Sequence, residues 1–199
     1  MRSGPAKPRP SPRFELISAL TKLGYQKIVG IDEVGRGALA GPLVVAAVDL
    51  PIKIPGITDS KLLSISAREN LAQQIHQLAR QICFGQASVE EIDMLGLTKA
   101  TGLAYSRALE SIQADLILTD FVRLPGRKFI SQPQGDRYFY PTAAASVVAK
   151  VYRDQLMRQQ HQNYPHYGWL TNVGYGTPFH RQAIRQYHLT PLHRKSFCQ

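Results

Sequence analysis

At 199 residues the chain is sized for one domain, and with 44% hydrophobic residues it can bury a core, which excludes global disorder. No apolar run approaches the roughly 18 residues of a membrane-spanning helix, and Cys83 and Cys198 match neither a metal-ligand spacing nor a disulfide framework, so a reducing, cytoplasmic setting is expected. The formal net charge of +10 points to a polyanionic partner, with nucleic acid the leading class.

In chain order, residues 1–13 (MRSGPAKPRPSPR) are basic and Pro-rich without an apolar signal core. They are predicted to form a disordered arm adding weak phosphate contacts, ahead of a single domain over 14–199. An amphipathic helix is predicted near 14–23 from Phe14, Leu16, Ile17 and Leu20. Strands follow at 27–32 and 42–50, apolar on both faces as in the middle of a covered sheet. Between them lies the glycine-rich turn EVGRGALAG, and 51–63 is a loop carrying Asp59, Ser60 and Lys61. Leu71, Ile75, Leu78 and Ile82 form one stripe of a helix over 65–82. A short strand at 83–88, a turn or short helix at VEEIDMLG, a helix at 97–113 and a buried strand at 115–120 come next. Residues 121–140 read as loop and short strand broken by Pro125, Gly126 and Gly135. A long helix at 142–161, an aromatic loop and a helix at 178–187 complete the chain. Alternating strands and helices predict an α/β domain with helices covering a mixed sheet.

The chain has only 14 acids, so their positions carry information. Asp32 and Asp120 each close an apolar strand, Glu33 follows Asp32, and Asp154 sits on the long helix. Taken singly, strand-end acids commonly face loops and helix acids are commonly solvated. Taken together, they can converge at one sheet edge, where sites of α/β proteins lie. Clustered carboxylates repel, and a divalent cation removes that penalty; all-oxygen ligands select Mg²⁺ or Mn²⁺. Two such ions about 3.5–4 Å apart can activate water and stabilise the leaving oxygen in phosphodiester hydrolysis. Neighbours on a regular strand point to opposite faces, so Asp32 and Glu33 share a site only if the strand turns or bulges at Glu33, as Gly35 and Gly37 allow.

Gly35, Arg36 and Gly37 can present backbone amides to phosphate or sugar hydroxyls, or can form a plain tight turn. On the long helix Thr142, Ser146, Lys150 and Asp154 recur every four residues. This stripe either lines the mouth of a site or is a solvated face with a Lys150–Asp154 pair worth ~0.3–0.5 kcal/mol. Trp169, Tyr175 and His180 in GWLTNVGYGTPFH offer stacking on a sugar or base, or local packing.

GIDEVGRGALAGPLVVAAV, DSKLLS, AAASVVAKVYRDQLM, and NVGYGTPFH with LTPLHRKSF together resemble ribonuclease HII, the type 2 ribonuclease H, in motif order and approximate spacing from about residue 27 to 197. The resemblance implies a ribonuclease H-like fold, a central mixed β-sheet flanked by helices with a C-terminal helical extension. It implies an endonuclease cutting RNA–DNA hybrids, and cutting 5′ to single ribonucleotides in duplex DNA to leave 3′-hydroxyl and 5′-phosphate ends. It places the four metal-binding acids at Asp32, Glu33, Asp120 and Asp154, holding two Mg²⁺ or Mn²⁺ ions. The backbone of Gly35, Arg36 and Gly37 would meet the ribose 2′-hydroxyl, Tyr175 would stack on the following deoxyribose, and Lys61 would line the substrate groove; Ser146 and Lys150 join the substrate-binding set through the helix stripe turned toward the site mouth. Two positions depart from the family pattern: Phe121 follows Asp120 where glycine is usual, and Gln134-Gly135-Asp136 replaces Lys-Gly-Asp. A binding protein of the same fold without catalysis is the alternative, and an integrase- or resolvase-like nuclease a third reading. A monomer is the default expectation.

Overall fold

The computed structural model describes residues 12–120, 124 and 126–198, so most of the basic arm, and Phe121, lie outside the described residues. The chain runs α1 (Glu15–Lys22), β1 (Ile28–Val34), β2 (Leu43–Asp49), α2 (Ile65–Leu78), β3 (Gln81–Ala87), α3 (Val89–Leu95), α4 (Leu97–Glu110), β4 (Leu116–Thr119), β5 (Phe129–Ser131), α5 (Gly135–Tyr138), α6 (Tyr140–His161), α7 (Trp169–Asn172) and α8 (Pro178–Tyr187). One mixed sheet has the order β3-β2-β1-β4-β5; β1, β2 and β3 are antiparallel, whereas β4 and β5 run parallel to β1. This is the helix-flanked mixed sheet expected from the sequence.

Two helices cover the sheet, and small residues decide how closely they sit. Gly30 of β1 lies so near α6 that a Cβ would overlap the Pro141 backbone, and Gly85 of β3 meets Ala104 of α4 in the same way. On the α6 face, Ala46, Val48, Ala143, Ala144 and Val147 pack with Leu71 and Ile75 of α2; on the α4 face, Val29, Ile31, Val45, Ala104 and Ala108 form a second core. Every residue of β2 is buried, which its unbroken apolar run required. Local signals set the helix starts: Ser64 caps α2, Ser88 and Glu91 form a capping box on α3, and Thr177 caps α8 with Pro178 at its first position.

Three elements differ from the sequence expectation. The helix predicted over 65–82 stops at Leu78, because Gln81 and Ile82 pair with Asp49 and Val48 of β2; the strand partner outweighs the helical stripe. Residues 135–138, expected as loop, form a helical turn, and α6 begins at Tyr140 rather than 142. The strand predicted over 27–32 continues to Val34 in unbroken register with β2, from Val29 opposite Asp49 to Val34 opposite Val44. The turn or bulge expected at Glu33 is therefore absent. Parallel β4 instead ends at Thr119, opposite Ile31, leaving Asp32 and Glu33 beside an open edge. Among the described residues no helix is long and apolar enough to cross a membrane.

Candidate active site

Because β1 stays regular, its two acids point to opposite faces. The Asp32 carboxyl is directed to the α6 side, near Ser146, and Glu33 to the α4 side, where the buried Tyr105 hydroxyl donates a hydrogen bond to Oε2. Arg36 Nη1 reaches Glu33 Oε1 at 3.5 Å. Burial pushes the Asp32 carboxyl well above the usual carboxylate range, and the Glu33 charge pushes it further; Ser146 and Lys61 pull it down, while Asp136 adds repulsion. Burial and the same carboxylates also drive the Tyr105 hydroxyl up, so it stays a donor. The pair thus straddles the end of β1, one carboxyl on each face, close enough for the Glu33 charge to act on Asp32.

Asp120 immediately follows β4 and its Oδ1 accepts the Gln134 amide at 2.7 Å. Gln134 takes a left-handed conformation (φ 62°), and a Cβ on Gly135 would come within 2.8 Å of the Thr119 carbonyl. That close turn folds 134–136 over the end of β4 and buries Asp136 beside the other acids. Burial raises the Asp136 carboxyl, as do the charges of Asp59 and Asp120, with Lys61 and Arg137 opposing. Asp136 thereby neighbours both Asp32 and Asp120 electrostatically.

Asp154 has a different setting from the other acids. It lies eight residues along α6 from Ser146, ~12 Å at helical rise. Its Oδ1 accepts from Lys150 Nζ at 2.7 Å and its Oδ2 lies 3.8 Å from Arg68 Nη1, all three side chains being mostly buried. Arg68 also donates to the Ser60 and Leu63 carbonyls, so Asp154 anchors the Ser60–Leu62 turn against α6. Asp32 thus feels the charges of Glu33 and Asp136, and Asp136 that of Asp120, whereas Asp154 is paired with Lys150 and Arg68. Asp136 stands at the aspartate position of the family's Lys-Gly-Asp, with Gln134 where the lysine is usual.

Among the described residues no three acidic, histidine or cysteine side chains converge tightly on one ion-sized point. The donor set nevertheless fits a hard divalent cation, being all carboxylate oxygen with two members raised by burial and mutual repulsion. Asp120 commits only one oxygen to the backbone contact described, leaving the other for a ligand.

The expected substrate-side residues flank this edge. Gly35 has φ 90°, and a Cβ there would strike the Arg153 guanidinium, whereas Gly37 faces open space and Arg36 is exposed. Tyr175 meets Ala38 of the turn through a backbone bridge, and its ring lies 5.3 Å from Lys150 Nζ and 5.4 Å from Arg153 Cζ. Lys61 is exposed on the Ser60–Leu62 turn, capped by Asp59, whose Oδ2 in turn accepts from Arg137 at 3.4 Å. Ser146 is buried beneath, its Oγ 2.9 Å from that of Ser60. Trp169 and His180 are packing residues: both are fully buried, Trp169 Nε1 donates to His180 Nε2 at 3.1 Å, and His180 Nδ1 donates to the Tyr175 carbonyl at 2.9 Å.

A family model described as Ribonuclease HII matches residues 29–199. The ribonuclease HII of Thermosynechococcus vestitus is 48% identical over 183 residues, spanning 88% of this chain and 86% of the relative. The ribonuclease H2 of Pyrococcus horikoshii OT3 superposes with a TM-score of 0.73 at 25% identity, covering 86% of this chain and 93% of that one. Bst-RNase HIII in complex with Mn²⁺ shares the fold at a TM-score of 0.68 and 21% identity, over 90% of this chain and 69% of that one. A match that starts in β1 and runs to the C-terminus, at close to half identity with a curated relative, is decisive: the chain belongs to the ribonuclease HII family, whose members are metal-dependent endoribonucleases.

Proposed function

We propose that the protein cuts the RNA-bearing strand of RNA–DNA hybrids and incises duplex DNA on the 5′ side of a single embedded ribonucleotide, leaving 3′-hydroxyl and 5′-phosphate ends. The observation that carries this reading is adjacency: the acids Asp32 and Glu33 are separated by a single residue from a glycine turn able to offer backbone amides to a 2′-hydroxyl. That group alone distinguishes RNA from DNA at a given position. Asp32, Glu33, Asp120 and Asp136 are the residues proposed to hold two Mg²⁺ or Mn²⁺ ions, in place of the set containing Asp154. The Mn²⁺ bound by the ribonuclease HIII neighbour supports the choice of ion class. Bound there, the ions supply charge neutralisation and Lewis acidity at the scissile phosphate.

This chain's own residues do the rest. Tyr105 holds the Glu33 carboxylate by donating to it, and the Gln134 amide fixes Asp120. Lys61 and Lys150 hold phosphate oxygens, and Tyr175 stacks on the sugar next to the cut. The basic surface makes affinity fall with salt.

The test is a labelled duplex carrying one ribonucleotide, incubated with and without Mg²⁺ or Mn²⁺ beside an all-DNA control. One metal-dependent cut 5′ to the ribonucleotide is expected. Binding without a cut would favour the non-catalytic reading, and cutting of the all-DNA control would favour an integrase- or resolvase-like activity.

A further inference from the structure

Beneath the Gly35–Gly37 turn lie two fully buried guanidinium groups, Arg153 from α6 and Arg194 from the C-terminal segment. Neither forms a salt bridge among the described residues. An unpaired buried charge is costly unless its donors are all employed, and here they are spent on backbone carbonyls. Arg153 donates to the carbonyls of Pro42, Val173 and Ala40, each at 2.9 Å. Arg194 donates twice to Gly41, at 3.0 and 2.8 Å, and once to the carbonyl of Arg36, the middle residue of the turn, at 3.0 Å.

The acceptors of Arg153 span two segments, the stretch 36–42 after the acids and Val173 leading into Tyr175, whereas those of Arg194 lie within 36–42 and tie the C-terminal segment to that stretch. Backbone bonds tie the same pieces, Leu39 to Gly174, Gly41 to Leu192 and Arg194 to Leu39, each at 2.8 Å. The Arg153 guanidinium then faces the Tyr175 ring and fills the space that a side chain at Gly35 would need. A planar fork with several fixed donors can hold carbonyls from separate segments at once; a lysine ammonium cannot reproduce that geometry.

We propose that Arg153 and Arg194 are positioning residues for ribonucleotide discrimination: they set the spacing between the amides of the Gly35–Gly37 turn and the ring of Tyr175 without touching the nucleic acid. The proposal rests on the reading above that the turn and Tyr175 sense the 2′-hydroxyl. A device that measures one hydroxyl needs its parts held to a few tenths of an ångström, and both parts sit on loops. The two guanidiniums make these loops one body, and they bring the far C-terminus into the specificity of a site formed near the start of the chain.

The experiment measures affinity for two duplexes of one sequence, one with a single ribonucleotide and one all DNA, by fluorescence anisotropy with metal chelated. Wild type, Arg194→Lys, Arg153→Lys and Tyr175→Ala are compared, each with its melting temperature. The wild type is expected to prefer the ribonucleotide duplex. Each lysine variant is expected to lose at least about fivefold of that preference while remaining folded and keeping its all-DNA affinity, as the charge persists and only the fork is lost. If the wild type shows no preference, or Tyr175→Ala retains it in full, the sensing reading itself fails. If Tyr175→Ala loses the preference while folded lysine variants keep it within twofold, the positioning role is overturned. Failure of both lysine variants to fold would assign the arginines to stability alone and would equally overturn it.

Discussion

The two halves of the candidate site are built on opposite principles. At the acid edge, like charges are crowded beside the ends of β1 and β4, and burial and repulsion raise Asp32 and Asp136 together. Behind the glycine turn, two cations are buried, yet their described hydrogen bonds all go to carbonyls, and Arg153 also faces the Tyr175 ring. The first region holds electrostatic tension that a bound cation can release. The second converts buried charge into rigidity. Chemistry that needs a metal is served by crowded carboxylates, whereas recognition of one hydroxyl is served by a frame of directed hydrogen bonds.

That contrast is open to attack on both sides. The largest effect is expected at Asp32. Asp32→Asn should lower the cleavage rate by on the order of 10²–10³, the scale for losing a charge contact at a reacting centre, while leaving hybrid binding largely intact. The same change removes repulsion, so the melting temperature without metal should rise, and the further rise on adding Mg²⁺ should shrink. Cleavage at the wild-type rate would remove Asp32 from the metal site.

Asp136 and Asp154 separate the proposed acid set from the one that the resemblance implies. Asp136→Asn should cost activity on the same ~10²-fold scale with little loss of stability. Asp154→Asn leaves Lys150 and Arg68 without their carboxylate, so it should destabilise by about 3 kcal/mol, near the low end for breaking a buried pair. Its turnover, measured well below the melting temperature, should stay within about tenfold of wild type. The reverse pattern would restore Asp154 to the metal site.

A third effect probes the frame. His193 Nε2 donates to His180 Nε2 at 3.1 Å, and burial with the neighbouring His180 lowers His193 to about 4; His180 is lowered as well, chiefly by burial. Both rings are neutral when folded. A histidine whose folded value lies below its unfolded one contributes its stability above the unfolded value of ~6.5 and loses it as the pH falls toward about 4. The loss can reach about 3 kcal/mol for His193 at ~1.36 kcal/mol per unit. Trp169 is the only tryptophan and donates to His180, so its fluorescence reports the event. It should change over this window in wild type and less in His193→Gln; identical titrations would show that His193 does not carry the pH dependence.

The smallest effect belongs to Tyr105. Tyr105→Phe removes a hydrogen bond to a carboxylate, worth about 1.5–3 kcal/mol, from a side chain otherwise packed in the α4 core. We expect the Mg²⁺ concentration for half-maximal rate to rise about tenfold, with calorimetric Mn²⁺ affinity falling in parallel. Unchanged metal affinity would mean that Glu33 needs no such support.

Much of this molecule was legible in one dimension. The apolar runs of β1, β2 and β4, the capping serines and the alanine-rich face of α6 are local signals, and the elements formed close to where those signals lay. The motifs in order carried the family, because four runs of residues at matching spacing do not recur by chance. Ile82 could not be placed this way, since a helical stripe and a strand edge read alike until β2 offered Asp49 and Val48 as partners. The environments of Asp154 and Asp136 could not be told apart for a related reason. Both are acids near the same helix, and sequence spacing does not tell which end of α6 meets the open edge of the sheet. The meeting of β4's end with the Gln134–Gly135 turn decides that, by folding Asp136 under Asp120 while two helical turns carry Asp154 toward Lys150 and Arg68. The sequence by itself determined the family and roughly which elements carry the candidate acids, because propensity and motif act over a few neighbouring residues. Only the tertiary structure decided which acids share a field, and that Arg194 supports a turn 158 residues away, because burial and Coulomb interaction depend on distance through space and not along the chain.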